Sequence, residues 1–204
     1  FWIERTEGNA MVLNLLIRRL QQGEQDGDAL AEDVRRAFMD YLDEQIISDW
    51  SRGVQTFLMQ LSLVDAFTPE LAQAVTGDDD VTLLLSRAEQ AGNIFSCTGG
   101  EWRIRPVLLE TLRRRAVRSF GQRRCNQLMY NAGRYYELSG QTLQALAIFR
   151  QCDEEDGIFS LLVREARKHA GVGNYWALRR HYQALSDADI QREPVLMTAM
   201  SVLY

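Results

Sequence analysis

Helical periodicity is the feature that most constrains the fold of this chain. Apolar residues recur every three or four positions through most of the sequence, for example at Val34, Phe38 and Leu42. This spacing places the apolar side chains on one face of an α-helix. The pattern changes only after Gly92, where residues 93–97 and 101–105 form two strand-like runs around a glycine pair. The sequence therefore predicts a mainly α-helical protein with one short β-hairpin.

The order of the elements around this hairpin predicts a winged-helix-like unit. Helical patterns cover residues 54–61, Pro69 to about Val75, and 79–91, and a further helix begins at Pro106. Thr68 is expected to cap the second of these helices, because it directly precedes a proline suited to the first helical position. Three helices, a hairpin and a further helix are expected in this order, and we place the winged-helix-like domain at residues 31–121.

The last third of the chain carries a repeat pattern that is typical of tetratricopeptide helix pairs. A second, partial copy begins at Gly173, 33 residues after Gly140. Small residues at these positions allow two antiparallel helices to approach, and an aromatic side chain fills the gap between neighbouring pairs. We therefore predict antiparallel helix-pair (TPR-like) repeats over residues 122–204. The first copy consists of Gly133, Tyr136, Gly140, Ala145 and Phe149, and the second adds Leu178 and Tyr182.

Charge is divided unevenly along the chain. Residues 1–100 carry 7 Arg and 17 Asp plus Glu, a net charge of −10, and residues 101–204 carry 16 Arg plus Lys and 11 Asp plus Glu, a net charge of +5. A basic block follows the hairpin, and a basic surface beside a winged helix suggests DNA binding. The helix in the recognition position, however, begins with three aspartates that would repel phosphates. The block consists of Arg113, Arg114, Arg115, Arg118, Arg123 and Arg124.

The preferred interpretations of this block are an interdomain or partner contact and a plain solvated face. Helical geometry places Arg114 and Arg118 opposite the apolar face of Leu108 and Leu112, so both are expected to face solvent. Our candidate residues for an interdomain contact are Arg114, Arg115 and Arg118.

Catalytic and metal-binding motifs are absent from the sequence. The single lysine, Lys168, has no glycine-rich loop before it, so no phosphate loop is encoded. The two histidines, His169 and His181, and three widely spaced cysteines have no ligand or nucleophile spacing. We expect no enzyme activity and no cofactor or metal in this chain. Most aromatic residues of the repeats are assigned to packing, which leaves Tyr135, Tyr175 and Trp176 as candidates for an effector groove.

The location of the protein follows from what the sequence lacks. No apolar run is long enough to span a membrane, and no signal peptide opens the chain. Three separated cysteines indicate reduced thiols, so a cytoplasmic protein is expected.

The chain begins at Phe1 and breaks off inside the apolar helical pattern of Val195–Tyr204. We interpret it as a piece of a longer protein.

Several short motifs follow one another in the order found in one regulator family. They resemble the middle of MalT-like, LuxR-type transcriptional regulators, which are signal-transduction NTPases with numerous domains (STAND). Two positions depart from the family pattern: Asn9 replaces a tryptophan, and the segment 102–106 lacks a histidine. The matching segments are Arg5–Gly8, Tyr41–Gln45, Phe57–Asp65, Leu71–Gly77, Leu84–Leu85, Asn93–Phe95 and Ala132–Phe149.

The resemblance implies a regulatory role for this chain. Residues 1–30 would be the helical end of an NTPase module and its linker, with ATP and Mg²⁺ bound upstream of the chain. A helix-turn-helix domain downstream would bind DNA. The chain would hold the winged helix and the first sensor repeats, and its partners would be other domains of the protein and an unknown small-molecule or protein effector. Effector binding would release the NTPase module for ATP-dependent self-association.

A second interpretation remains open. The chain could be a stand-alone TPR-like adaptor that binds a protein partner, with no NTPase or DNA-binding domain. The two interpretations differ in what lies outside the chain, and the fold alone does not decide between them.

Overall fold

The computed structural model describes residues 28–92, 94–168 and 175–203, together with Asn14 and Ile17. Most of residues 1–30, including the motif Arg5–Gly8, lie outside the described residues, as do His169 and Gly173. The chain divides into two compact units, Phe1–Cys125 and Asn126–Tyr204.

The first unit contains five α-helices and one hairpin within its described residues, in the order that the sequence predicts. A short 3₁₀ helix, Ile47–Asp49, follows the first helix. Helix α2 contacts α3, α4 and α5, and α1 packs along α5. The elements are α1 (Asp28–Gln45), α2 (Arg52–Leu61), α3 (Pro69–Thr76), α4 (Val81–Ala91), β1 (Phe95–Thr98), β2 (Glu101–Ile104) and α5 (Pro106–Phe120).

Local sequence signals set the ends of helix α3. The Thr68 side chain accepts a hydrogen bond from the backbone N–H of Leu71 at 3.3 Å, and Pro69 occupies the first turn. The helix ends at Gly77, whose φ of 71° lies in the left-handed region that glycine adopts without strain. The predicted cap and start of this helix are therefore confirmed.

The hairpin forms the wing of the first unit. Strands β1 and β2 are antiparallel, and Thr98 pairs with Glu101 across the turn. One further residue joins this sheet. The backbone of Phe67 exchanges hydrogen bonds with Trp102, with N···O distances of 2.9 and 2.8 Å. The sequence predicted the hairpin but not this third pairing partner.

An aromatic cluster fixes the wing to the helices. The ring centroids of Phe67 and Phe95 are 5.9 Å apart, and those of Phe95 and Trp102 are 5.6 Å apart, both in edge-to-face geometry. Phe67 and Phe95 are 2% and 8% exposed. Burial of these rings supplies the apolar area that a two-stranded hairpin lacks when it is isolated.

The second unit is helical throughout its described residues. Helix α6 begins within the first unit and continues into the second. Helix α7 contacts α8, α8 contacts α9 and α11, and α9 contacts α11. The helices are α6 (Gln122–Leu138), α7 (Thr142–Gln151), α8 (Glu155–Ala166), α9 (Tyr175–Tyr182), α10 (Asp187–Arg192) and α11 (Val195–Leu203).

Phe149 occupies the centre of the first helix pairs. It is fully buried, and its ring lies against Gly133 on α6 and Gly157 on α8. A Cβ atom on Gly133 would lie 2.6 Å from Cδ1 of Phe149, closer than packed carbon atoms approach. This is the small-residue and aromatic pairing expected at these two positions of a helix pair.

Leu178 and Tyr182, at the second copy of the pattern, are also fully buried. The Tyr182 hydroxyl donates a hydrogen bond to the carbonyl of Leu162 at 3.1 Å. Burial raises the pKa of Tyr182 far above its ordinary value, and the nearby Glu165 carboxylate acts in the same direction. The protein is thus mainly α-helical with one small antiparallel sheet, as the sequence predicts.

Candidate functional site

Three arginines of the basic block, all on α5, contact acidic residues of the first unit. Arg113 donates to the backbone carbonyl of Ser62 at 2.6 Å and to the carboxylate of Asp65 at 2.7 Å. Arg114 forms an ion pair with Asp40 on α1, with an N···O distance of 2.8 Å. Part of the block is therefore used inside the unit that contains it.

Arg115 has the most contacts in this block. Its guanidinium donates to the Asp43 carboxylate, to Gln55 Oε1 at 2.9 Å and to Ser48 Oγ at 3.3 Å. The side chains of Arg115 and Asp43 are each 24% exposed. Because the planar guanidinium presents several N–H groups at fixed angles, one side chain joins α5 to α1, to the 3₁₀ helix and to α2.

In a third ion pair between α1 and α5, the arginine lies on α1 and the carboxylate lies on α5. Arg35 on α1 donates to the carboxylate of Glu110 on α5, with Nε 3.0 Å from the oxygen. The two helices also share an apolar contact, because Val34 and Phe38 are buried along α1 and Leu112 along α5. Charge pairs therefore flank an apolar seam between α1 and α5.

The position of Arg114 corrects one expectation. The helical period placed Arg114 on the solvated face of α5, whereas its side chain is 25% exposed and paired with Asp40. Helix α1 lies along that side of α5, which a single-helix pattern does not show. Arg118 is exposed as expected, and so are Arg123 and Arg124.

We expect Arg115→Met to lower the free energy of unfolding by about 1–3 kcal/mol, because it leaves the half-buried Asp43 carboxylate and the Gln55 carbonyl oxygen without their donor. Arg118→Met, on the same helix but exposed, is the matched control and is expected to change it by less than about 0.5 kcal/mol. Urea unfolding of both variants measures the difference. Equal effects of the two substitutions would show that the Arg115 contacts add nothing to the fold.

The three aromatic residues proposed for an effector groove lie in different environments. Tyr175 is 3% exposed, and its hydroxyl donates to the carbonyls of Ala166, at 3.2 Å, and Lys168. Tyr175 is therefore the buried member of the three, enclosed by the end of α8, and its place in a groove stays a prediction. Tyr135 is half-buried beside Tyr136, with ring centroids 5.8 Å apart.

Trp176 is the exposed member of this aromatic set. Its side chain is 68% exposed, and the guanidinium carbon of Arg179 lies 5.9 Å from the centroid of its ring. The structure gives Trp176 and Tyr135 no shared contact among the described residues. Both remain candidates for effector contact as separate surface positions.

Two buried carboxylates of the second unit were not identified from the sequence. Glu165 is 1% exposed and accepts from Thr142 Oγ1 at 3.1 Å and from Lys168 Nζ at 2.5 Å. Glu137 is 9% exposed and accepts from Arg164 at 2.7 Å and from Arg134. These donors offset part of the cost of burying charge, although Glu165 Oε2 is buried without a hydrogen-bond partner among the described residues, and both carboxylates belong to the helix packing.

A cavity of about 410 Å³ lies in the second unit, between the end of α7, the start of α8 and the segment from α9 to α10. Arg150, His181 and Arg192 line it together with acidic and apolar side chains. The Nδ1 atom of His181 is buried and has no hydrogen-bond partner among the described residues. Burial and the positive charge of Arg150 lower the pKa of His181, so this imidazole is neutral at neutral pH.

The sequence favours a structural role for His181 and indicates that the acidic run Asp153–Asp156 is helix-start charge, and it does not single out the other cavity residues. They lie up to 42 positions apart and share no spacing motif. Cys125 and Cys152 are buried cysteines of the described residues. Burial raises the pKa of each thiol and disfavours the reactive thiolate, so neither is a candidate nucleophile.

Among the described residues, no cluster of three or more histidine, cysteine or acidic side chains could hold a metal ion. In the same part of the chain, every helix is too short or too polar to cross a membrane.

The helix order, the wing and the α1–α5 contacts define the first unit as a winged-helix unit in a mainly α-helical protein. In a comparison with known protein families, the family model of the MalT winged helix domain matches residues 43–124 of this chain, from the end of α1 to the start of α6. This match confirms the winged-helix prediction and supports a MalT-like relationship. The MalT winged helix is a regulatory, non-catalytic domain. No curated protein matched the chain.

Proposed function

We propose that this chain is the regulatory and sensor part of an ATP-dependent, LuxR-type transcriptional regulator. Effector binding to the helix pairs of the second unit would change the state of the winged helix. The winged helix would in turn control an NTPase module and a DNA-binding domain, both outside this chain. The chain itself would bind neither ATP nor DNA.

The observation that carries this proposal is the match of residues 43–124 to the MalT winged helix domain. The matched segment includes Asp43 at its first position, and Asp43 is the residue that Arg115 holds against α5. The α1–α5 contact thus lies at the boundary between the matched domain and the residues before it. A movement of α1 would reach the winged helix through this contact.

The charge on the surface suggests how an inactive state would be held. Arg114 and Arg115 are engaged inside the first unit, whereas Arg118 is exposed and has no ion pair among the described residues. Of the three arginines proposed for an interdomain contact, Arg118 is therefore the one free to meet an acidic surface elsewhere in the protein. We propose that this contact favours the inactive state.

The test uses the full-length protein and its ATP-dependent self-association, measured by analytical ultracentrifugation without effector. Arg118→Glu replaces attraction with repulsion, so we expect more self-association with ATP and no change without ATP. Arg52→Glu, an equally exposed substitution on α2, is the matched control and is expected to leave self-association unchanged.

Two results would count against the proposal. Unchanged behaviour of Arg118→Glu would exclude Arg118 from the inactive contact. A full-length protein that neither binds ATP nor self-associates with it would exclude the regulator function itself. The second result would favour the stand-alone helical-repeat adaptor.

A further inference from the structure

The cavity of the second unit combines charges of both signs. Arg150 and Arg192 contribute positive charge, and Glu155 and Asp156 contribute negative charge from the first turn of α8. Within the described part of the chain, no ion pair within 4 Å joins any of these four side chains to a partner. Their charges are therefore available to a bound molecule.

One further acidic residue of the cavity is already engaged. The Asp189 carboxylate accepts hydrogen bonds from the backbone N–H and the hydroxyl of Ser186, at 3.2 and 2.6 Å, in a capping box. These bonds lower the pKa of Asp189 and hold its carboxylate at the start of α10. The carboxylates that remain for a ligand are those of Glu155 and Asp156.

The guanidinium group of Arg192 lies over an aromatic ring. Its carbon is 5.2 Å from the centroid of the Phe159 ring. A guanidinium over a ring face gains a cation–π contact, and its planar set of N–H groups can bind a carboxylate in bidentate geometry. Ile158 and Leu185 add apolar surface to the same cavity.

We propose that this cavity is the effector site and that its ligand is an α-amino acid with an apolar side chain. Arg150 and Arg192 would bind the carboxylate, and Glu155 and Asp156 would bind the ammonium group. The four charged residues are exposed at the cavity and carry both signs, so a ligand with one anionic and one cationic group can pair with both kinds, which a simple anion or a simple cation cannot do. A volume of about 410 Å³ is sufficient for one such molecule.

This inference rests on the proposed function, because it names the effector class of the same sensor. The two can fail separately. Amino-acid binding is measured on the purified chain, without an NTPase module or DNA. The proposed function is tested by self-association of the full-length protein.

The first test compares L-leucine with two analogues that each lack one charged group, by isothermal titration calorimetry. 4-Methylpentanoate lacks the ammonium group, and 3-methylbutylamine lacks the carboxylate. We expect each analogue to bind at least roughly 10-fold more weakly than the matching amino acid, because each loses charge-assisted hydrogen bonds. L-Isoleucine, L-valine, L-methionine and L-phenylalanine are titrated in the same way to cover the side-chain class.

The second test assigns the binding to this cavity. Arg192→Gln and Asp156→Asn are each expected to weaken amino-acid binding by roughly 10-fold or more. Arg180→Gln, an exposed substitution on α9 outside the cavity, is the matched control and is expected to bind as the parent does. Far-ultraviolet circular dichroism verifies that each variant is folded.

Three results would overturn the proposal. The first is that none of the five amino acids binds. The second is that leucine and both analogues bind equally well. The third is that Arg192→Gln and Asp156→Asn bind with the affinity of the parent chain.

Discussion

Phe149→Ala is expected to lower the free energy of unfolding of the second unit by about 3–5 kcal/mol. The ring is fully buried and lies between Gly133 on α6 and Gly157 on α8, so its removal leaves a cavity where three helices meet. Leu143→Ala is the matched control on the same helix, because Leu143 is 47% exposed. It is expected to cost less than about 0.5 kcal/mol. Chemical denaturation followed by the helical signal measures both.

A double-mutant cycle tests the contact between Gly133 and Phe149 directly. Gly133→Ala alone is expected to cost about 1–3 kcal/mol, because the added methyl group meets the Phe149 ring. In a Phe149→Leu background the same substitution is expected to cost less, since the smaller side chain leaves room for the methyl group. Additive costs would show that the two residues do not meet in solution.

Phe67→Ala is expected to have an effect of similar size in the first unit, about 3–5 kcal/mol. Phe67 is 2% exposed, and its ring contacts Phe95 while its backbone pairs with Trp102. Loss of the ring should loosen the wing before the helices, because the ring packs directly on Phe95 of β1. Hydrogen exchange at the Trp102 N–H, which donates to the Phe67 carbonyl, should become faster.

Leu83→Ala is the matched control for the wing, since Leu83 is 47% exposed on α4. It is expected to leave both the unfolding free energy and the exchange at Trp102 close to those of the parent. If Phe67→Ala and Leu83→Ala gave the same exchange rate at Trp102, the aromatic cluster would not be what fixes the wing.

Local signals explain why much of the fold could be predicted. The Thr68-Pro69 start of α3, its end at Gly77 and the glycine turn of the hairpin depend on residues a few positions apart. The pairing of Phe67 with Trp102 joins residues 35 positions apart through one residue of a loop. A single extended residue has no period that a sequence pattern could reveal.

Arg114 and Tyr175 are both more enclosed than their sequence patterns indicate, for a common physical reason. The helical period gives the face of one helix, but not which neighbouring helix lies against its flank. Arg114 is opposite Leu108 on α5 and is nevertheless paired, because α1 brings Asp40 to that flank. Tyr175 matches no packing position of the repeat pattern. In the structure its hydroxyl nevertheless donates to the carbonyl of Ala166 at the end of α8.

The candidate ligand cavity could not have been found from spacing. Arg150, Phe159 and Arg192 come from the end of one helix, the middle of the next and the end of a short third helix. None of the three belongs to a motif within its own segment that would indicate a ligand site. Only the packing of the helices brings their side chains to one cavity.

The central claim is that this chain is the regulatory middle of an ATP-dependent transcription regulator. Sequencing the reading frame that encodes it, on both sides of Phe1 and Tyr204, tests this claim most directly. We predict a phosphate-loop lysine motif upstream and a helix-turn-helix domain downstream. A start methionine immediately before Phe1, with only further helical repeats after Tyr204, would contradict the claim and identify a helical-repeat adaptor.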